Sequence, residues 1–210
     1  MPLPYYTRVL SKDEEFPPFD ELAQFIRSAH PDYRLTLEEG TEEEWETALL
    51  VGTDEVEVAL LECNPVFDGS AGQDEISDFI EDLYGCRPET GVEWLTEYLE
   101  EVKTIYAFQH LQGAETVDGS NALHGLRARL WERGDAIIQA DNEGFTNEEG
   151  FHIVWQFADT VSGAWNMAVL QDGTWQQFKM DLGDPEHREA FLAGTVPFDV
   201  SAIQLPSGED

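Results

Sequence analysis

The sequence predicts an α+β fold of two tandem β-α-β-β-β-α-type repeats, with antiparallel sheets, helices packed on one face, and a pseudo-twofold single body. Three observations predict it. Short runs alternate between apolar and polar residues, as strands with one buried face do. Other runs carry apolar residues at helical spacing. The order of these runs is similar in the two halves of the chain.

The first half contains four runs with strand character and three with helical character. The predicted strands span 5–10, 33–40, 45–52 and 55–63. The predicted helices span 17–30, 74–85 and 92–102. Ile76, Phe79, Ile80, Leu83 and Tyr84 form the apolar stripe of the second helix, and Gly85 is a plausible C-terminal stop for it.

The second half continues in a similar order. A strand is predicted over 104–112 and a helix over 120–134, with Ser120 as its N-cap. Four strand-like runs follow, at 135–141, 150–158, 164–171 and 174–182. The dipeptide Asp172-Gly173 predicts a hairpin between the last two runs. Pro185 favours the start of a closing helix over 185–194.

Local sequence similarity suggests an internal duplication. The stretch 30–62 aligns with 133–171, and the motif Thr-Glu-Glu-Glu at 41–44 falls on Thr-Asn-Glu-Glu at 146–149. The chain is therefore predicted to divide into a first repeat, 1–103, which includes the helix over 92–102, and a second repeat, 104–210. The second repeat carries an extra strand and a short C-terminal tail. Packing the two repeats together would hide more apolar area than either hides alone.

Charge is the most unusual property of the sequence. It holds 44 acidic and 11 basic residues, a formal net charge of −33. Such a field repels phosphate backbones and anionic lipid head groups, which argues against direct binding to nucleic acids or membranes. The expected partner is a basic protein. The acidity is also consistent with a role in solubility or with a saline, Lys-poor cellular background.

A candidate acidic interaction surface lies in the first half, where clustering is strongest. Several of its carboxylates are expected at neighbouring strand ends. The candidate residues are Glu38, Glu39, Glu42, Glu43, Glu44, Glu46, Asp54 and Glu55. From them we expect a non-enzymatic interaction protein, of the inhibitor, immunity or chaperone kind. The alternative is a small-ligand-binding protein or hydrolytic enzyme with a cleft between the repeats.

The acidic, glycine-punctuated stretch 139–157 is the best place to look for a metal or catalytic loop. It lacks the spacing of a calcium loop, because Phe145 stands at the fifth position of the loop, where the third ligand belongs. Its last part alternates, which places His152 on the wetter face of a half-buried strand. No histidine pair has metal-ligand spacing, and no nucleophile or phosphate-loop motif is present. We therefore expect no catalytic residue, metal or cofactor.

Aromatic residues are dense in the second half, where core packing is their default role. Trp165 and Trp175 flank the predicted hairpin, so they are candidates for lining a groove that holds a ligand or peptide. Cys63 and Cys86 fit no zinc pattern and are expected to be reduced. The chain shows no apolar leader and no long apolar run, and a soluble, cytoplasmic protein is expected.

Overall fold

The computed structural model describes residues 5–198 and residue 200. They form five α-helices, one 3-10 helix and nine strands. The strands are β1 (Tyr6–Ser11), β2 (Tyr33–Gly40), β3 (Trp45–Gly52), β4 (Glu57–Pro65), β5 (Thr104–His110), β6 (Ala136–Ala140), β7 (Gly144–Phe145), β8 (Ala164–Gln171) and β9 (Thr174–Asp181). The helices are α1 (Phe19–Ala29), α2 (Ala71–Asp82), α3 (Glu89–Glu100), α4 (Val117–Trp131) and α5 (Pro185–Leu192), and the 3-10 helix is Gln112–Glu115. The α+β class with a large antiparallel sheet is confirmed.

The chain forms two compact units that are each discontinuous in sequence. The first holds the residues up to Ile76 together with Glu101–Asp141. The second holds Ser77–Glu100 together with the described residues from Asn142 onward.

In the first unit, six strands form an antiparallel sheet in the order β2-β3-β4-β5-β1-β6. The N-terminal strand β1 lies inside the sheet, where Val9 pairs with Tyr106 of β5 and with Ile138 of β6. Helices α1 and α4 bury their apolar faces against one side, in a core that includes Ile26 and Leu126. This core exists because strands of alternating pattern present one apolar face that the helices must cover.

The second unit contains the hairpin of β8 and β9, whose turn was predicted from Asp172-Gly173. Asp172 and Gly173 have φ values of +49° and +75°, as a two-residue hairpin turn requires. The inner face of the hairpin packs against α5. The buried core here comprises Phe157, Met167, Val169, Phe178, Met180, Leu182 and Phe191.

The strand predicted over 150–158 does not form. The alternating pattern is present, but the backbone N–H groups go to separate segments instead of one neighbouring strand. His152 donates to the carbonyl of Asn166 at 3.0 Å, Ile153 to Phe145 at 3.1 Å, and Trp155 to Arg87 at 2.8 Å. The segment therefore makes only isolated bridges at His152.

Two helix boundaries also differ from prediction. Helix α4 is capped by Thr116 instead of Ser120, because the Thr116 hydroxyl accepts a hydrogen bond from the Gly119 amide at 3.0 Å. Helix α2 ends at Asp82, before the predicted stripe is complete, and Tyr84 is left 96% exposed.

The tandem repeat and its pseudo-twofold symmetry are not confirmed. Strands β5 and β6, which the duplication hypothesis assigns to the second repeat, pair with β1. Strand pairing between distant parts of the chain, not sequence order, sets the composition of the first unit. The boundary between residues 103 and 104 stays a sequence prediction.

The core of the first unit provides a test of this packing. Phe108 of β5 is fully buried, whereas Phe67 is 62% exposed. We expect Phe108→Ala to lower the free energy of unfolding by about 3–5 kcal/mol, through lost burial and the cavity left behind. The matched change Phe67→Ala should cost less than about 1 kcal/mol. Urea unfolding followed by circular dichroism measures both, and similar losses in the two variants would contradict the assigned core.

Candidate functional site: an acidic hairpin

The hairpin that joins β2 to β3 carries most of the predicted acidic surface. We call residues 38–46 the hairpin tip. Six carboxylate side chains of the tip are exposed: Glu38, Glu39, Glu42, Glu43, Glu44 and Glu46. The tip thus places six acidic side chains within nine consecutive residues, all in contact with solvent.

Backbone hydrogen bonds fix the shape of the tip. The Thr41 amide donates to the carbonyl of Glu44 at 3.0 Å, and the Glu44 amide donates to the Thr41 hydroxyl at 3.0 Å. Gly40 has a φ of +95°, and a side chain there would place its Cβ 2.5 Å from the Glu44 carbonyl oxygen. The glycine and the neighbouring register shifts in β2 allow this close turn. The side chains of the acidic residues are not needed for these bonds.

Trp45 anchors the tip to the core of the first unit. It is 2% exposed, and its indole nitrogen donates to the carbonyl of Pro17 at 2.9 Å. Its ring stacks on Tyr106 with a centroid separation of 6.0 Å. The exposed carboxylates therefore project from a turn that is fixed by packing at the first residue of β3.

The tip carboxylates lie in a segment of the sequence without basic residues. No Lys, Arg or His occurs between Arg34 and Arg87 in the sequence. Among the described residues, none of the six tip carboxylates forms an ion pair. Arg34, the nearest basic residue in the hairpin, pairs with Glu55 at 2.6 Å and also donates to the carbonyl of Gly52 at 3.3 Å.

The other two predicted surface residues are not brought to the tip. Asp54 and Glu55 are exposed but lie in the turn between β3 and β4, at the opposite end of β3. The eight residues of β3 place the two turns roughly 23 Å apart, at about 3.3 Å per step. The predicted surface is therefore two separate acidic regions.

A polar network on β1 was not anticipated from the sequence. Arg8 contacts Glu75 at 2.5 Å, Asp141 at 2.8 Å and the side-chain oxygen of Gln139 at 2.7 Å. Asp141 also accepts from the amide of Tyr6 at 2.9 Å. The only signal in the sequence is an arginine inside a strand pattern, which gives no indication of partners so distant along the chain.

His152 is buried, contrary to the predicted position on a wet strand face. Its ring lies 5.1 Å from those of Phe157 and Trp165, and its Nδ1 atom has no hydrogen-bond partner among the described residues. Burial lowers the pKa of His152 to about 4, while a hydrogen bond with the backbone of Glu143 opposes the shift. The imidazole is therefore neutral near pH 7. It is a packing residue of the second unit.

The acidic loop before His152 is a structural turn, as its glycines suggested. The side-chain oxygen of Asn147 accepts hydrogen bonds from the amides of Glu149 at 3.1 Å and Phe151 at 2.9 Å. Asn147 is fully buried. The Asn147 side chain holds the loop by accepting hydrogen bonds that a backbone carbonyl would otherwise accept, which is a common role for asparagine in turns.

The two candidate groove aromatics are half-buried in the second unit. Trp165 packs against Phe157, with ring centroids 4.9 Å apart. Trp175 meets Trp94 edge-to-face at 5.2 Å, and Trp94 stacks on Tyr98 at 5.3 Å. Both tryptophans therefore contribute to aromatic packing. A groove lined by them stays a prediction.

Two further histidines and the two cysteines have ordinary structural contacts. His110 contacts the Thr7 hydroxyl at 3.1 Å, and His124 contacts Arg127 at 3.0 Å. Cys63 and Cys86 are free thiols, and burial raises the pKa of Cys63 to about 12.

Within residues 5–198 and 200, no cluster of three or more His, Cys, Asp and Glu side chains is placed to hold a metal ion. No helix in the same part of the chain is long and apolar enough to cross a bilayer.

His152 should make stability depend on pH. The unfolded imidazole takes up a proton near pH 6.5, but the folded one does so only near pH 4. Between these values the unfolded state binds more protons, so stability falls as the pH is lowered through this window. Below this window, the difference between the folded and unfolded pKa of His152 lowers the free energy of unfolding by up to about 3 kcal/mol.

The measurement is urea unfolding at pH 7, 6 and 5, for the wild-type chain and for His152→Gln. Glutamine cannot take up the proton, so the variant should lose less stability than the wild type on acidification. Because the other titrating groups are present in both proteins, their effect cancels in the comparison. Equal pH slopes in the two proteins would contradict the burial of a neutral His152.

Comparison with protein-family models, curated proteins and solved structures found no match to this chain.

Proposed function

We propose that this protein is a non-enzymatic interaction protein that presents an acidic surface to a basic protein partner, in the manner of inhibitors, immunity proteins or chaperones. One observation carries the proposal: the hairpin tip holds six exposed carboxylates, and no basic side chain among the described residues pairs with them. Like charges gathered on one rigid turn repel each other and gain from a partner that neutralises them.

The position of these charges supports binding more than folding. Backbone bonds and Trp45 hold the hairpin, and among the tip carboxylates only Glu38 accepts a side-chain hydrogen bond in the described residues, from the Thr36 hydroxyl at 3.2 Å. A role in solubility needs charge spread over the surface. A docking role needs charge concentrated in one place, and the six carboxylates within nine residues of the tip support that role.

The hydrolytic alternative has weaker support. The hydroxyl–imidazole pair of Thr7 and His110, at 3.1 Å, resembles a nucleophile and its base. Thr7, however, is only 2% exposed, so its hydroxyl cannot reach a substrate. Burial also lowers the pKa of His110.

The proposal is tested by reversing the charge of the tip with Glu42→Lys, Glu43→Lys and Glu44→Lys together. The probe is a labelled peptide with about eight Arg and Lys residues. At about 50 mM salt, where exposed charges are weakly screened, we expect the reversal to weaken binding at least tenfold. Fluorescence anisotropy measures the affinity, and circular dichroism should show an unchanged fold.

A matched control reverses three exposed acidic residues elsewhere: Glu148→Lys, Asp159→Lys and Glu189→Lys. This variant has the same net charge as the tip variant, so an effect of total charge would appear equally in both. We expect the control to bind severalfold more tightly than the tip variant. Equal affinities of the two variants would overturn the docking role and leave the acidity as a general property of the surface.

A further inference from the structure

A cavity of about 410 Å³ lies in the first unit, beside the turn between β3 and β4. We call it the turn cavity. Its volume falls in the range of roughly 300–1,000 Å³ typical of small-molecule sites, and it is open to solvent, since Asp54, Gln112 and Glu115 are exposed. Its walls combine carboxylate, aromatic, amide and aliphatic groups. The lining includes Tyr33, Asp54, Val56, Val58, Gln112 and Glu115.

The cavity is built by close packing of the 3-10 helix against β4. The amide of Leu111 donates to the carbonyl of Val58 at 2.9 Å. Gly113 lies so near that an added Cβ would be 2.8 Å from the Glu57 carbonyl oxygen and from Val58 Cγ2. Glycine permits this approach, and the approach brings Glu115 and Gln112 to the same cavity as the turn residue Asp54.

The chemistry of the lining excludes an anionic ligand. The N-terminus of α4 borders the cavity, but Thr116 caps it, since its hydroxyl accepts from the Gly119 amide and donates to the Gly113 carbonyl. Asp54 and Glu115 add two negative charges to the lining. The cavity therefore favours a cation.

In the part of the chain that the structure describes, no basic side chain forms an ion pair with Asp54 or Glu115. Arg34 pairs with Glu55, the residue next to Asp54, at 2.6 Å. Among the described residues, Asp54 accepts one hydrogen bond, from the Val56 amide at 3.2 Å, and Glu115 forms no ion pair. Carboxylate oxygens therefore remain open to a ligand at this site.

We propose that the turn cavity binds the side chain of an arginine. Asp54 and Glu115 accept hydrogen bonds from the guanidinium, Val56 and Val58 contact the aliphatic stem, and the ring of Tyr33 contacts the guanidinium plane. Arginine fits better than lysine because its planar group offers five donors to several acceptors at once, stacks on aromatic rings and is less strongly hydrated. That a partner protein presents this arginine rests on the proposed function; the binding of the side chain does not.

The experiment uses three small probes: the Nα-acetyl amides of arginine, lysine and citrulline. Citrulline has the shape of arginine without its charge. We expect saturable NMR shifts of the amides of residues 52–56 and 112–116 with the arginine probe, at least tenfold weaker binding of the lysine probe, and no saturable binding of the citrulline probe. Equal binding of the lysine probe, or binding of citrulline, would overturn the proposal.

The site is tested with Asp54→Asn and Glu115→Gln together. Asparagine keeps an oxygen that can accept from the Val56 amide, so the turn should remain folded, and the amide spectrum reports this directly. We expect this variant to bind the arginine probe at least tenfold more weakly, because charge-assisted hydrogen bonds are replaced by neutral ones. A matched control, Glu38→Gln with Glu39→Gln, removes two charges from the hairpin tip and should change the affinity less than about threefold. Equal affinity of the cavity variant and the wild type would overturn the assignment.

The two proposals fail separately. If the arginine probe binds in the cavity but the basic peptide ignores reversal of the hairpin tip, the docking role of the tip is wrong and the arginine site stands. If the peptide responds to the tip and the arginine probe does not bind, the tip proposal stands and the arginine site is wrong.

Discussion

The scarcity of basic side chains is the constraint on which the distribution of charge in this protein depends. With 11 basic residues for 44 acidic ones, most carboxylates have no internal counter-ion and must remain hydrated. The basic residues that form ion pairs often hold elements that are distant in sequence. Arg8 joins β1 to α2 and to Asp141. Arg129 of α4 and Arg133, which follows that helix, both pair with Glu21 of α1. These ion pairs therefore connect parts of the first unit that are distant in sequence.

This distribution of basic residues leaves most carboxylates without an ion pair. Unpaired carboxylates are tolerated in turns, where water solvates them, and the hairpin tip is such a turn. A solvated cluster of like charge is ready to exchange water and small cations for a basic protein surface. The turn cavity differs from the tip because aromatic and aliphatic side chains line it together with its carboxylates. Such walls favour a particular side chain instead of positive charge in general.

Local sequence patterns predicted the elements of this fold better than their pairing. Periodicity together with cap and proline signals located the five helices of the described residues, and the turn residues Asp172 and Gly173 located the β8–β9 hairpin. The alternation around His152 predicted a strand that does not form, because alternation records which side chains are buried and not where backbone N–H groups bond. The insertion of β1 between β5 and β6 is decided by contacts across about a hundred residues of chain, which no local pattern encodes.

Local sequence patterns also predicted the candidate site only in part, because they do not encode contacts between distant segments. The exposure of the tip carboxylates was accessible from sequence, because acidic residues beside glycine mark a turn. Their separation from Asp54 follows from the direction and length of β3. The turn cavity was not accessible, because Asp54 and Glu115 come from distant segments and meet through the close approach of Gly113 to β4.

The measurement that tests the central claim most directly is amide hydrogen exchange of the full chain, alone and with the basic peptide at saturation. If the hairpin tip is the docking surface, the exposed amides of residues 38–46 should exchange more slowly in the complex, and the protection should disappear as added salt screens the charges. Protection confined to the second unit, or none anywhere in the first unit while the peptide is bound, would contradict the account.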